Sequence, residues 1–171
     1  MAAHQAGHLL GGGGHAMAAG LSLRQEQLAS FQEFMNKAFD KQLGTLPPVQ
    51  TMVSLSAPLS ACHKQLVDWL DKCAPFGPSF REPLLLVKQV TLSYPKWIGA
   101  DKQHLACELR DGTGAKIRAI SFRLREKIDN PDMLLQNNGT LFDVIGKVKL
   151  DDYRGGEAVQ FIIEDLAISH P

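Results

Sequence analysis

Between Leu84 and Ile163 five short apolar or alternating runs are separated by turn-forming residues, and this pattern confines that half of the chain to a sheet protein. Leu84–Ser93 is strongly apolar and gives the first strand. In His104–Arg110, Leu105, Cys107 and Leu109 alternate with His104, Ala106, Glu108 and Arg110, which predicts a strand with one buried face. Asp111-Gly112-Thr113-Gly114 supplies a hairpin turn, with glycines available for positive φ, and Lys116–Phe122 follows as the third strand. Residues 123–135 are charged and then apolar, a short helix broken near Pro131. Phe142, Val144, Val148 and Leu150 define a fourth strand. Arg154-Gly155-Gly156 then turns the chain into a fifth, marked by Val159, Phe161 and Ile163.

Three strands, a helical connection and a hairpin make the order of a five-stranded OB-fold barrel, read here as antiparallel. The part before it is built differently. Ser22 and Gln25 fit a capping box, and Leu28, Phe31, Met35, Ala38 and Leu43 recur at helical spacing, predicting a helix over 24–43 that Gly44 ends. Residues 49–55 read as a strand. Leu59, Cys62, Leu66, Trp69, Leu70 and Cys73 predict a second amphipathic helix over 58–73, with both cysteines packed on its apolar face. Prolines and a glycine from Ala74-Pro75-Phe76-Gly77-Pro78 to Pro83 form a rigid connector. The expected fold class is therefore α+β: an α/β portion over 1–73, a linker at 74–83, and a barrel over 84–171.

Charge narrows the partners. The 171 residues carry 18 basic and 18 acidic side chains, and 21% of residues are charged, which excludes a polycationic or disordered chain. The balance is uneven locally. Arg110, Lys116, Arg118, Arg123, Arg125 and Lys127 face only Asp111 and Glu126 in that stretch, whereas acids predominate from Asp143 to Asp165. A basic strand region fits either an anionic ligand or a solvated face. No run approaches the ~18 apolar residues of a membrane span. The N-terminus lacks the basic region of a signal peptide, and Cys62, Cys73 and Cys107 form no CxxC pair, so a reducing cytoplasm is expected.

Two segments carry candidate chemistry. Gly11-Gly12-Gly13-Gly14-His15 could gather backbone N–H groups on an anion, with a following helix start adding its dipole and His15 donating to a phosphate oxygen. It is neither a Walker A loop nor a GxGxxG fingerprint. On the barrel, alternation places Arg110, Lys116 and Arg118 away from the apolar side, and the loop between the fourth and fifth strands carries Tyr153 and Arg154. OB-folds bind oligonucleotides on this face and with this loop, and aromatic side chains there stack on bases. His4 and His8 stand four apart without the glutamate of a zinc protease, adjacent Asp151 and Asp152 diverge on a strand, and no GxSxG elbow occurs. No catalytic residue is assigned.

Together these residues resemble a known family. Gly12-Gly13-Gly14-His15-Ala16-Met17-Ala18-Ala19-Gly20 is similar to the GGGH motif of the DHHA1 domain of DHH-family phosphoesterases. Ala74-Pro75-Phe76-Gly77-Pro78 with Glu82-Pro83 resembles the proline linker of RecJ-type exonucleases specific for single-stranded DNA. Leu109-Arg110-Asp111-Gly112-Thr113-Gly114, Ala119-Ile120-Ser121-Phe122, Tyr153-Arg154-Gly155 and Val159-Gln160-Phe161 continue the resemblance in order, so that it covers essentially the whole chain. Two departures stand out: Ser79-Phe80-Arg81 replaces the usual Gly-Asn-Pro, and Tyr153 stands where tryptophan is common.

The resemblance implies a metal-dependent exonuclease that removes nucleotides from the 5′ end of single-stranded DNA in recombination and repair. It implies that residues 1–73 are the end of a DHHA1 domain and that Gly12, Gly13, Gly14 and His15 meet phosphate. The barrel then guides the single strand. The family's manganese or magnesium site lies in an upstream DHH domain. This chain begins just before GGGH, so that domain is expected to be absent and the chain to lack a cofactor and hydrolysis of its own. Single-stranded DNA and the DHH domain are the expected partners, with no membrane. Alternatives are a stand-alone single-strand-binding barrel, a fragment of a small-nucleotide phosphodiesterase of the superfamily, and a protein-interaction barrel.

Overall fold

A computed structural model describes residues 2–43, 50–151 and 157–170, with the side chains of Ala2, Gln42 and Leu43 left out. The chain separates into two compact units, Met1–Gln50 and Thr51–Pro171. The proline-rich segment 74–83 is thus not where they part. The reason lies in residues 51–73: β3 (Leu55–Ser56) pairs in parallel with the start of the barrel's first strand, and Leu59, Cys62 and Val67 join its core.

In the first unit, α1 (Ala2–Gln5) precedes a hairpin of β1 (Gly11–His15) and β2 (Ala18–Ser22), and α2 (Leu28–Leu43) follows a 3-10 turn at Gln25–Gln27. The glycine run therefore enters a second strand, not a helix. The cap also lies two residues later than the Ser22–Gln25 pattern suggests: the Arg24 N–H donates to Gln27 Oε1 at 2.9 Å. Gln27 Nε2 then donates to the Gly7 carbonyl at 2.8 Å, and the His8 ring packs 5.0 Å from Phe34. These contacts hold α2 against the preceding chain. Among the described residues of this unit Ala3 is the buried apolar one, while Phe31, Met35 and Ala38 are half-buried and Leu28 is exposed. Gly44 and Val49 lie outside the described residues.

The second unit is a closed barrel of β4 (Leu85–Ile98), β5 (His104–Arg110), β6 (Lys116–Ser121), β7 (Phe142–Leu150) and β8 (Val159–Ile168). The ring runs β4-β5-β6-β8-β7 and closes where β7 pairs with β4. Every pair in it is antiparallel except β6–β8. That parallel pair corrects the antiparallel reading, and it is unavoidable, because a ring with an odd number of strands cannot alternate direction throughout. Inward residues such as Leu85, Val90, Leu105, Leu109, Val144 and Phe161 form the core. At Gly146 the ring is so tight that an added Cβ would collide with the Ile162 carbonyl and stand 2.5 Å from Phe161 Cε1.

Three local expectations change. Residues 50–54 are not strand; the pairing begins at Leu55. The 58–73 helix is a 3-10 turn (Leu59–Ala61) followed by α3 (Lys64–Cys73), and the connection 123–135 is two 3-10 turns, Leu124–Glu126 and Pro131–Gln136. On α3 the inward residue is Val67, so Trp69, about 200° further round the helix, is exposed. Cys62 is buried as expected, but Cys73 at the end of α3 is exposed.

Candidate functional site

The hairpin of β5 and β6 sets the geometry. Its register pairs Ala106 with Ile120, Glu108 with Arg118 and Arg110 with Lys116, and all six side chains stand on the outer face while Leu105, Cys107 and Leu109 point inward. The sequence alternation thus placed Arg110, Lys116 and Arg118 on one surface. In β8, Gln160 sits beside Arg118 and continues the row.

This surface is the floor of a groove of about 720 Å³ lined by Tyr94, Lys96, Ile98, Ala106, Glu108, Arg118, Ile120, Phe122, Asp151 and Gln160. Its lining mixes apolar Ile98, Ala106 and Ile120 with the cross-strand pair Glu108–Arg118 and with Lys96, Asp151 and Gln160, and the exposed Tyr94 and Phe122 rings flank these residues. Phe122 packs edge-on against His104 with centroids 5.5 Å apart, and Tyr94 lies under the Arg110 guanidinium at 5.6 Å. His104 and Arg110 are the two ends of β5, so the rings mark opposite ends of the hairpin. Tyr94 is 77% exposed and Phe122 52%. Sequence reading missed both. Val90 and Leu92 point inward, so strict alternation would bury Tyr94 too; a bulge between Ser93 and Lys96, with Tyr94 at φ 52°, turns its ring outward. Phe122 was read as the end of the third strand, but β6 stops at Ser121.

The arginines are not free cations. Arg110 Nε donates to Glu108 Oε1 at 2.6 Å and its Nη2 lies 2.6 Å from the same oxygen, and Arg118 Nη2 meets Asp151 Oδ2 at 2.6 Å. Lys96 and Lys116 are exposed and have no ion-pair partner among the described residues. Tyr153 and Arg154 lie outside the described residues. A second hollow of about 530 Å³, elsewhere on the barrel, is lined by residues that include Glu82, Lys147 and Glu164, and Lys147 pairs there with both carboxylates. There burial raises the Glu82 carboxyl, but hydrogen bonds from Lys149 and Lys147 outweigh it and leave it below its usual range.

In the first unit, Gly11–Gly14 and His15 line a cleft of about 750 Å³ with His4, Leu9 and Gly20. Because these glycines form a paired strand, successive N–H groups point to opposite edges, and one edge faces β2. The four cannot converge on one ion; one strand edge is what they offer. Gly14 is needed for the pairing itself, since a Cβ there would come within 2.5 Å of the Ala18 carbonyl. His15 Nδ1 accepts from the Met17 N–H at 3.2 Å, so the neutral ring carries its proton on Nε2, where it can donate to an anion.

Among the described residues no three His, Cys, Asp or Glu side chains gather as metal ligands would, and no helix is long and apolar enough to cross a membrane. Burial pushes the Cys62 thiol up to about 11 and Cys107 to about 12, so neither is a nucleophile at neutral pH.

Comparison with known proteins agrees with this geometry. The chain is 30% identical over 169 residues to the single-stranded-DNA-specific exonuclease RecJ of Escherichia coli K12, covering 94% of this chain and 27% of that protein. It is 25% identical over 162 residues to the enzyme of the same name from Bacillus subtilis 168, covering 92% of this chain and 19% of that protein. It therefore spans about a quarter or less of the curated relatives it matches. The crystal structure of RecJ in complex with Mn2+ from Thermus thermophilus superposes with a TM-score of 0.67 at 21% identity, over 98% of this chain and 23% of that one, which establishes a shared fold. The family model for the RecJ OB domain matches residues 53–165, the segment that builds the barrel and the elements packed on it. The chain belongs to the RecJ OB domain family.

Proposed function

We propose that the groove binds single-stranded DNA and that this chain is the strand-guiding part of a RecJ-type 5′-to-3′ exonuclease acting in recombination and repair in the cytoplasm. The observation that carries this is the groove itself: a floor of Ala106, Ile120 and the Glu108–Arg118 pair between Tyr94 and Phe122, with Lys96 at its border, on the β5–β6 face. Bases of a single strand have exposed π-faces that such rings stack on, whereas a duplex hides them. Lys96 and Lys116 supply phosphate contacts, while Tyr153 stacks on a base and Arg154 stacks or holds phosphate. Gly12, Gly13, Gly14 and His15, at the end of a DHHA1 domain, meet phosphate separately, through the strand edge and His15 Nε2.

Hydrolysis belongs elsewhere. The Thermus relatives are in complex with Mn2+ and with Mg2+, and two-metal hydrolysis needs a cluster of carboxylates or imidazoles. The described residues hold no such cluster and do not fit the metals, so no catalytic step is assigned to them. In this reading the metals sit in a DHH domain that works beside this chain. Anisotropy titration of the full chain with labelled single-stranded and duplex DNA at two salt concentrations, then a manganese nuclease assay on the same sample, tests this. A salt-sensitive preference for the single strand without cleavage is expected. Equal affinity for duplex would refute the groove assignment, and cleavage would refute the division of labour.

A further inference from the structure

We infer that Asp151 is a positioning residue for nucleic acid, fixing the Arg118 guanidinium as a flat donor on the groove floor so that Arg118 meets bases and not phosphates. This rests on the reading of the groove as a single-strand site. Asp151 is 6% exposed and Arg118 36%, and Arg118 Nη2 lies 2.6 Å from Asp151 Oδ2 as an ion pair. A carboxylate that buried is tolerated because it is paired. Both partners are anchored in backbone: the Asp151 N–H donates to the Ala158 carbonyl at 2.8 Å, and Arg118 lies in the ladder between Glu108 and Gln160. Glu108, opposite Arg118 in the ladder, is paired with Arg110 through Oε1.

A guanidinium has five donors in a rigid plane. Held by Asp151 at one edge, it keeps its remaining donors and a flat face for a base. Its charge is meanwhile offset by an adjacent carboxylate, which makes it a poor collector of phosphate. Lys96 and Lys116 are suited to that task. The consequence runs against simple electrostatics. Removing an acid from a nucleic-acid surface should strengthen binding; removing this one weakens it.

The test uses the full chain and labelled oligothymidylate at two salt concentrations. Asp151→Asn is expected to weaken binding about 5-fold or more, the loss of one base contact. Arg118→Gln weakens it similarly, and the double variant is no weaker than Arg118→Gln alone. Arg118→Lys keeps the charge and can still pair with Asp151, yet binds as weakly as Arg118→Gln, with the salt slope unchanged. An Arg118 Nη–H resonance, protected in the unaltered chain by the Nη2–Oδ2 ion pair, is lost on Asp151→Asn, and thermal unfolding of each variant confirms its fold. Should Asp151→Asn not fold, Arg118→Lys decides. Binding by Asp151→Asn as tight as or tighter than the unaltered chain overturns the inference, as does full affinity in Arg118→Lys. If the unaltered chain does not bind the single strand, the groove reading fails and this inference with it.

Discussion

Tyr94→Ala separates ligand stacking from fold stability, because the ring contributes to one and hardly to the other. It is 77% exposed, so truncation removes little buried area. Its structural contact is the Arg110 guanidinium 5.6 Å away, and an exposed pair of this kind is worth roughly 0.5–1 kcal/mol. The unfolding free energy should therefore fall by about 1 kcal/mol or less. A base stacked on an aromatic ring contributes about 1–3 kcal/mol, so the single-strand Kd should rise roughly 5- to 150-fold. No charge is lost, and the slope of log affinity against log salt should stay unchanged. Tyr94→Phe keeps the ring and should bind nearly as the unaltered chain does. The assay is anisotropy with oligothymidylate across several salt concentrations, alongside urea unfolding. A Tyr94→Ala chain that folds and binds within twofold of the parent would show that the ring does not touch DNA.

The remaining predictions concern the scaffold. Gly146→Ala should destabilise the barrel by roughly 1–3 kcal/mol, the usual cost of overpacking, and lower its urea midpoint, because the new Cβ meets the Ile162 carbonyl and Phe161. A thiol reagent at neutral pH should label Cys73 alone in the folded chain and all three cysteines after unfolding, as mass spectrometry would record. The Glu82 carboxyl is held below its usual value by Lys149 and Lys147, so its stabilisation is complete above the ordinary carboxylate pKa and is lost as pH falls through the lower folded-state value. Glu82→Gln should accordingly melt below the unaltered chain at neutral pH, and the gap should close in acid.

The barrel strands were legible because burial of one face imposes a period of two, and β5 coincides with the alternating run His104–Arg110. Where the fold uses bulges, that period gives the wrong side, and Tyr94 is the example. The grouping of residues 51–73 with the barrel was hidden as well. It depends on Leu55 pairing with Leu85 and on Val67 reaching the core, contacts that no local pattern encodes. At the site, alternation found the row of basic residues but treated Arg118 and Arg110 as free charges. Asp151 pairs with Arg118 from another strand's end, and Glu108 with Arg110 from the same outer face, so their electrostatic roles follow from register and burial. The glycine run misled differently: absent β-carbons permit an anion cradle and also a tight hairpin, and pairing with Ala18–Ser22 selects the hairpin.

The most direct test of the groove is an amide chemical-shift map of the full chain titrated with oligothymidylate. The account predicts that the largest changes fall on Tyr94, Lys96, Ala106, Glu108, Arg118, Ile120, Phe122 and Gln160. Changes confined to the Glu82–Lys147–Lys149 side of the barrel, or no changes on β5 and β6 under saturating oligonucleotide, would contradict it.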